Sequence, residues 1–304
     1  MIQSWPLFFV FCKEFSNFFA LKVLTKIHKA RRPYKPLFSI AAGLLAAGWL
    51  VYQWKIKHQS LDPQAWENLL RDGRVWLITA LLAGLNWTVR ILKWQQLVSV
   101  YYPVGWKQAA CQILKTYTWS VATPFNSGEF VGKAFFYDRL RKKIPALVAA
   151  EQAGQMAVTV LAGSFGWAAG HWAAWALAGL MPVSLKAGPH TGKIAATSLF
   201  WSAVRYLIFA GLFALLLAWT SPLSWIQAWR GVTLYYLAVS FFPLWIWTDW
   251  AVKGSVALAV FGPMGVAPAT VLAVVFWLWI WQTLLPVGLG WILQLKAKQC
   301  GYVA

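Results

Sequence analysis

The chain has 304 residues, with 27 Lys and Arg against 8 Asp and Glu, a formal charge of +19, and yet 60% of it is hydrophobic. Only 12% of residues are charged, and the apolar ones come in runs too long for a soluble core, which argues against a soluble basic protein that binds nucleic acid and for a chain held in a membrane. The basic excess then reads as cytoplasmic loops and bilayer edges facing anionic lipid, and the 23 Trp and 10 Tyr as side chains suited to the headgroup level.

Residues 1–37 are Phe-rich at the start (Phe8, Phe9, Phe11, Phe15, Phe18, Phe19) and basic afterwards (Lys22, Lys26, Lys29, Arg31, Arg32, Lys35). That order is the reverse of a signal peptide and fits an interfacial helix with a basic tail, the competing reading being a poorly ordered extension ahead of the domain proper. From residue 38 to 295, apolar segments recur at the length of about 20 helical residues that a hydrocarbon layer of about 30 Å requires. Full crossings are expected at 38–54, 75–92, 146–169, 195–219, 231–250 and 270–294.

The stretch 107–136 is mostly apolar but carries Lys107, Gln108, Gln112, Lys115, Pro124, Asn126, Glu129 and Lys133. Irregular backbone at membrane depth survives only where protein or a wet cavity satisfies it, so two half-length helices meeting at Pro124 to Gly128 are predicted. The expected fold is therefore an all-α polytopic membrane protein with about six full transmembrane helices and a re-entrant broken-helix hairpin. Basic segments before residue 38, at 133–143 and in the short tail 296–304 place both termini on the cytoplasmic side of a bacterial inner membrane. No separate soluble domain and no repeat at fixed period is visible.

Cys12, Cys111 and Cys300 show no Cys-x-x-Cys spacing and read as plain apolar residues, and His28, His58, His171 and His190 are scattered. No metal and no cofactor is expected. The acids are few enough to take singly. Glu14, Asp62, Glu67 and Asp72 fall in loops or interfacial segments, Asp138 sits among Arg139 and Arg141, and Asp249 near Lys253 reads as an interface residue. Glu129 and Glu151 fall inside apolar segments, where an ionised carboxylate costs about 2.5–3.5 kcal/mol and must face a partner or a cavity.

Lys133 follows Glu129 at i+4, the favourable order for a helical ion pair. Pro124 forbids a continuous helix, and Asn126, Ser127 and Gly128 can cap the next one, leaving an N-terminus suited to a phosphate. The competing reading is that Glu129 and Lys133 merely pin a helix break. Glu151, Gln152 and Gln155 open a segment rich in small residues that permits close helix approach. Asn86, Arg90 and Lys93 share one helical face, and Arg205 is expected either to pair with Glu129 or Glu151 or to meet a lipid phosphate.

Asn86-Trp87 with Lys93-Trp94, the run Thr123 to Ala134 centred on Pro124, Gly128 and Glu129, and Glu151-Gln152 resemble the lysylphosphatidylglycerol synthase transmembrane family, the flippase-like membrane proteins, over residues 38–295. The resemblance implies a multi-helix membrane domain with broken helices. In multidomain members such a domain is linked to moving aminoacylated phosphatidylglycerol between leaflets, and a cytoplasmic transferase domain makes the lipid. This chain matches the membrane part only. It also has Asn126 and Gln152 where many members carry Arg.

The expectation is an inner-membrane lipid-handling protein that passes a phospholipid or modified lipid, anionic phospholipids among them, across the bilayer. Its substrate-binding residues would be Asn86, Arg90, Lys93, Pro124, Asn126, Ser127, Gly128, Glu129, Lys133, Glu151, Gln152, Gln155 and Arg205. Two rival readings are a scaffold for a partner enzyme of lipid synthesis and an intramembrane enzyme acting on a lipid phosphate with Glu129 or Glu151 as base.

Overall fold

The computed structural model describes residues 67, 69–123, 127–137, 140, 143–166, 190–242 and 246–295, all within the unit Ser39–Ala304. The N-terminal segment 1–37, the expected crossing 38–54, Pro124, Asn126 and the tail 296–304 lie outside the described residues. Among the described residues every element is helical. They are α1 (Gly73–Ser99), α2 (Trp106–Ala122), α3 (Ser127–Ala134), α4 (Ile144–Gly166), α5 (Thr191–Thr220), α6 (Trp225–Ser240), α7 (Ile246–Phe261), α8 (Pro268–Trp279) and α9 (Leu285–Leu295). A π-turn, Ile280–Leu284, joins α8 to α9.

Four helices are long and apolar enough to cross a membrane: Gly73–Ser99, Ile144–Ser164, Thr191–Thr220 and Pro268–Leu295. They carry the expected crossings at 75–92, 146–169 (as far as Gly166), 195–219 and 270–294. The expected crossing 231–250 is not one helix. It divides into α6, ending at Ser240, and α7, beginning at Ile246, each of 16 residues. Pro243 falls between them in the sequence, and proline disfavours a helix interior because it cannot donate to the carbonyl four residues back and its ring collides with it. Cys111, which reads in the sequence as a plain apolar side chain, is disulfide-bonded.

The charged face of α1 points inward and its apolar face outward. Asn86, Arg90 and Lys93 are buried, while Leu77, Leu81 and Leu85, about half a helical turn away around the axis, are exposed. A water-soluble amphipathic helix has the opposite polarity. Phe200 and Leu207 are likewise exposed on α5, so both long helices present apolar side chains outward and keep polar ones against protein.

Two helical hairpins stand between the long helices. In the first, Gly128 of α3 lies directly on the Trp119 carbonyl of α2, and a Cβ on Gly132 would stand 3.0 Å from the Thr116 methyl. Later residues of α3 thus meet earlier residues of α2, which makes the pair antiparallel, and glycine is required for helices that approach this closely. The second hairpin is α6 with α7. Its helices are separated by only five residues, and Phe261 at the end of α7 returns to the middle of α6, where its ring lies on Gly231 and is tilted against Tyr235 at 6.4 Å.

The order long helix, hairpin, long helix therefore occurs twice, as α1 to α4 and as α5 to α9. Cross-contacts follow the same pattern: α1 packs on α5, α2 on α9, and α6 on α4. Helices α1 and α5 run antiparallel, since Asn86 meets Arg205, Lys93 meets Ser202 and Gln96 meets Trp201. Two apolar cores form, one drawn mainly from the first half and joined by Ile194 of α5, the other mainly from the second half and joined by Val75 of α1. One gathers Trp94, Leu97, Ile113, Tyr137 and Leu147, the other Phe213, Leu217, Tyr235, Phe261 and Val274.

Candidate functional site

The polar groups collect where the two halves meet. Lys133 in α3 is fully buried and its Nζ donates to Glu129 Oε1 at 2.7 Å and Glu151 Oε2 at 2.6 Å. Arg90 Nη2 donates to the same Glu129 oxygen at 3.1 Å. The helical i+4 spacing brings Lys133 onto Glu129, and the packing of α3 on α4 brings Glu151 to the same ammonium. Such charge-assisted bonds are short, and in a dry interior each ion depends on the others to offset its lost hydration.

Aromatic faces complete the cage. Lys133 Nζ stands 4.0 Å above the Trp94 ring, and the Arg90 guanidinium lies 4.7 Å from the Tyr117 ring and 5.0 Å from that of Trp87. Trp94 Nε1 and the Tyr137 hydroxyl both donate to Gln112 Oε1, at 3.1 and 2.7 Å. Lys93 has no carboxylate; its Nζ donates to the Glu151 carbonyl and to Ser202 Oγ, each at 2.7 Å.

The start of α3 is capped from outside the expected residues. Thr123 Oγ1 accepts the Gly128 amide at 2.6 Å and donates back to the Ser120 and Trp119 carbonyls. Thr123, just after α2, thus also serves the start of α3, and of the expected cap residues Asn126 lies outside the described residues.

Arg205 pairs with neither Glu129 nor Glu151, contrary to one of the two partners expected for it. Its Nε donates to Asn86 Oδ1 at 3.1 Å, and its guanidinium carbon is 5.9 Å from the Phe209 ring. The reason is occupancy: Arg90 and Lys133 already hold Glu129, and Lys133 holds Glu151.

Beside this network lies a cavity of about 150 Å³, lined by Asn86, Arg90, Tyr117, Arg205, Tyr235, Tyr236, Lys253, Trp279, Gln282 and Thr283 among others. Asn86, Arg90 and Arg205 were expected at the site. Glu129, Lys133 and Glu151 stand behind its wall in the ion network and do not line it. Gly128 lies in the α2–α3 contact, and Ser127 begins α3. Gln152 and Gln155 are on α4, where both side-chain amide atoms of Gln155 are buried without a partner.

Lys253, Gln282 and Thr283 were missed. Lys253 Nζ donates to Asp249 Oδ2 at 2.7 Å across one turn of α7, the same i+4 spacing as Glu129 and Lys133. Gln282 and Thr283 sit in the π-turn. Pro286 lies four residues after Gln282 and has no N–H for its carbonyl, so the helix widens there and turns those two side chains toward the cavity. A proline in the last apolar segment was the available signal. Among the described residues no cluster of three or more His, Cys, Asp or Glu could hold a metal.

Comparison with protein-family models, with curated proteins and with solved structures finds no match. The resemblance to flippase-like membrane proteins rests on the sequence motifs alone.

Proposed function

We propose that the protein handles lipid within a bilayer, holding a lipid headgroup in the cavity between its halves and passing it between leaflets as a flippase-like carrier. The observation that carries this reading is a polar, cation-lined cavity enclosed by helices of membrane length whose outer faces are leucine and phenylalanine. A headgroup entering hydrocarbon loses its water with nothing in exchange. A cavity lined by guanidinium, ammonium, phenol and amide groups replaces that water while the acyl chains stay outside against the apolar faces.

The hairpins suit the same purpose. Helix α3, with eight residues, is about 12 Å long and cannot cross a layer of about 30 Å. In this reading each hairpin enters and leaves the membrane by one face and brings its ionised residues to the midplane. The basic segments of the sequence orient the chain with both termini toward the cytoplasm, and anionic phospholipids of the inner membrane are its partners.

Transport is tested by reconstituting the purified protein into vesicles that carry a fluorescent phospholipid and following loss of signal to an impermeant quencher. Wild type should expose inner-leaflet probe many times faster than empty vesicles, and Arg205→Gln should slow it. Equal rates with wild type and with empty vesicles would remove the translocation reading.

A further inference from the structure

In the first half, Arg90 of the long helix, Glu129 and Lys133 form a closed triad. The second half carries the same three kinds of residue in the same elements: Arg205 on its long helix, and Asp249 with Lys253 on the second helix of its hairpin. Arg205 and Arg90 both lie close to the α1–α5 contact, because Asn86, one turn before Arg90, bonds Arg205. Yet the second triad is left open. Lys253 alone takes Asp249, and Arg205 has no carboxylate within ion-pair distance among the described residues.

The cavity lies against this open triad, and three of the residues that line it each carry a buried donor without a partner. Arg90 Nε, Trp279 Nε1 and Gln282 Nε2 are buried and make no hydrogen bond. All three residues line the cavity with Arg205 and Lys253, and all three atoms are donors. Buried donors left unsatisfied are costly, and residues that carry them around a cavity lined by cations suit an acceptor-rich anion. No carboxylate is among the residues lining the cavity. Its volume of about 150 Å³ admits a tetrahedral oxyanion such as the phosphate of a lipid head.

We infer that this cavity is a phosphate site, and that it takes the phosphate group of an anionic lipid on Arg205, with Lys253, Arg90 Nε, Trp279 Nε1 and Gln282 Nε2 as the surrounding donors. A phosphate there supplies the acceptor that Glu129 supplies in the first half. The inference rests on the lipid-handling reading only for the source of the phosphate, lipid head or free ion. It makes Lys253 and the π-turn side chains part of recognition and gives Glu129, Lys133 and Glu151 a supporting place.

The test is a binding titration of the full-length protein in a phosphate-free detergent, read by thermal shift. Three probes are used: dihexanoyl phosphatidic acid, inorganic phosphate and, as the uncharged control, dihexanoylglycerol. Phosphatidic acid should raise the unfolding midpoint saturably, inorganic phosphate should compete with it, and dihexanoylglycerol should do neither. Arg205→Gln should weaken the phosphatidic acid about ten- to hundredfold, as expected for a lost charge-assisted bond, and Arg205→Lys should recover part of that loss.

Gln282→Ala, which removes a neutral donor, should weaken it several-fold and serves if Arg205→Gln does not purify folded. Saturable binding of inorganic phosphate without binding of the lipid keeps the phosphate site and overturns the lipid as its source. No response to either anion, or an Arg205→Gln titration like that of wild type, overturns the site. Binding with no vesicle transport leaves this inference standing and removes translocation; transport with no anion binding does the reverse.

Discussion

Glu129 with Lys133 and Asp249 with Lys253 are the same pair of charges at the same spacing on the second helix of each hairpin, but they live in different surroundings. Lys133 is fully buried and holds two carboxylates, while the Lys253 side chain keeps 25% of its exposure and holds one. The first pair is locked by Arg90 from α1, whereas the arginine on the corresponding long helix, Arg205, turns to Asn86 and the cavity. The difference teaches that an ion cluster which satisfies itself is a fastening, and that one left a carboxylate short is where a ligand can enter.

Lys133→Met breaks the fastened side and has the largest expected effect. It strips Glu151 of its ion-pair partner among the described residues and leaves Glu129 to Arg90, which should cost about 3–5 kcal/mol of stability. The loss would be read as a fall in the thermal midpoint and in the yield of folded protein. A loss below about 1 kcal/mol would mean that water reaches the cluster and that it fastens little.

Lys253→Met should cost less, about 1–2 kcal/mol, because the Lys253 ammonium is itself partly exposed and its loss leaves one carboxylate short of a partner where the loss of Lys133 leaves two affected. Equal losses from the two lysine variants would erase the contrast between the hairpins. Pro286→Ala is expected to change stability by under about 1 kcal/mol, since the regained helical bond offsets repacking. It should nonetheless weaken phosphatidic acid several-fold by letting the π-turn relax away from the cavity, which a titration of that variant would show.

Legibility in the sequence follows the range of the forces. The long helices α1, α4 and α5 were readable because their apolar runs are continuous, and the Glu129–Lys133 pair because it is local and sits beside Pro124 and Gly128. The division between Ser240 and Ile246 was not legible, since Phe241, Phe242, Leu244, Trp245 and Ile246 keep that stretch of sequence as apolar as a crossing. Asp249 consequently fell at the end of an expected span and looked like an interface residue, when it opens a second helix whose Lys253 faces the cavity. The bond from Arg205 to Asn86 joins residues 119 apart, and the Lys133–Glu151 bridge depends on how α3 packs on α4. Neither leaves a periodic trace. The matching of the two halves was invisible as well, because it resides in element order and charge geometry and not in repeated residues.

The most direct test of the contrast is the thermal midpoint of Arg205→Gln, with and without saturating dihexanoyl phosphatidic acid, beside wild type. An arginine held in a half-buried site without a carboxylate stabilises little, and removing it relieves its desolvation cost. Arg205→Gln is expected to unfold at or above the wild-type midpoint in the absence of lipid and to gain a clearly smaller increment than wild type when lipid is added. A midpoint falling as far as that of Lys133→Met, or a lipid increment equal to that of wild type, would contradict it.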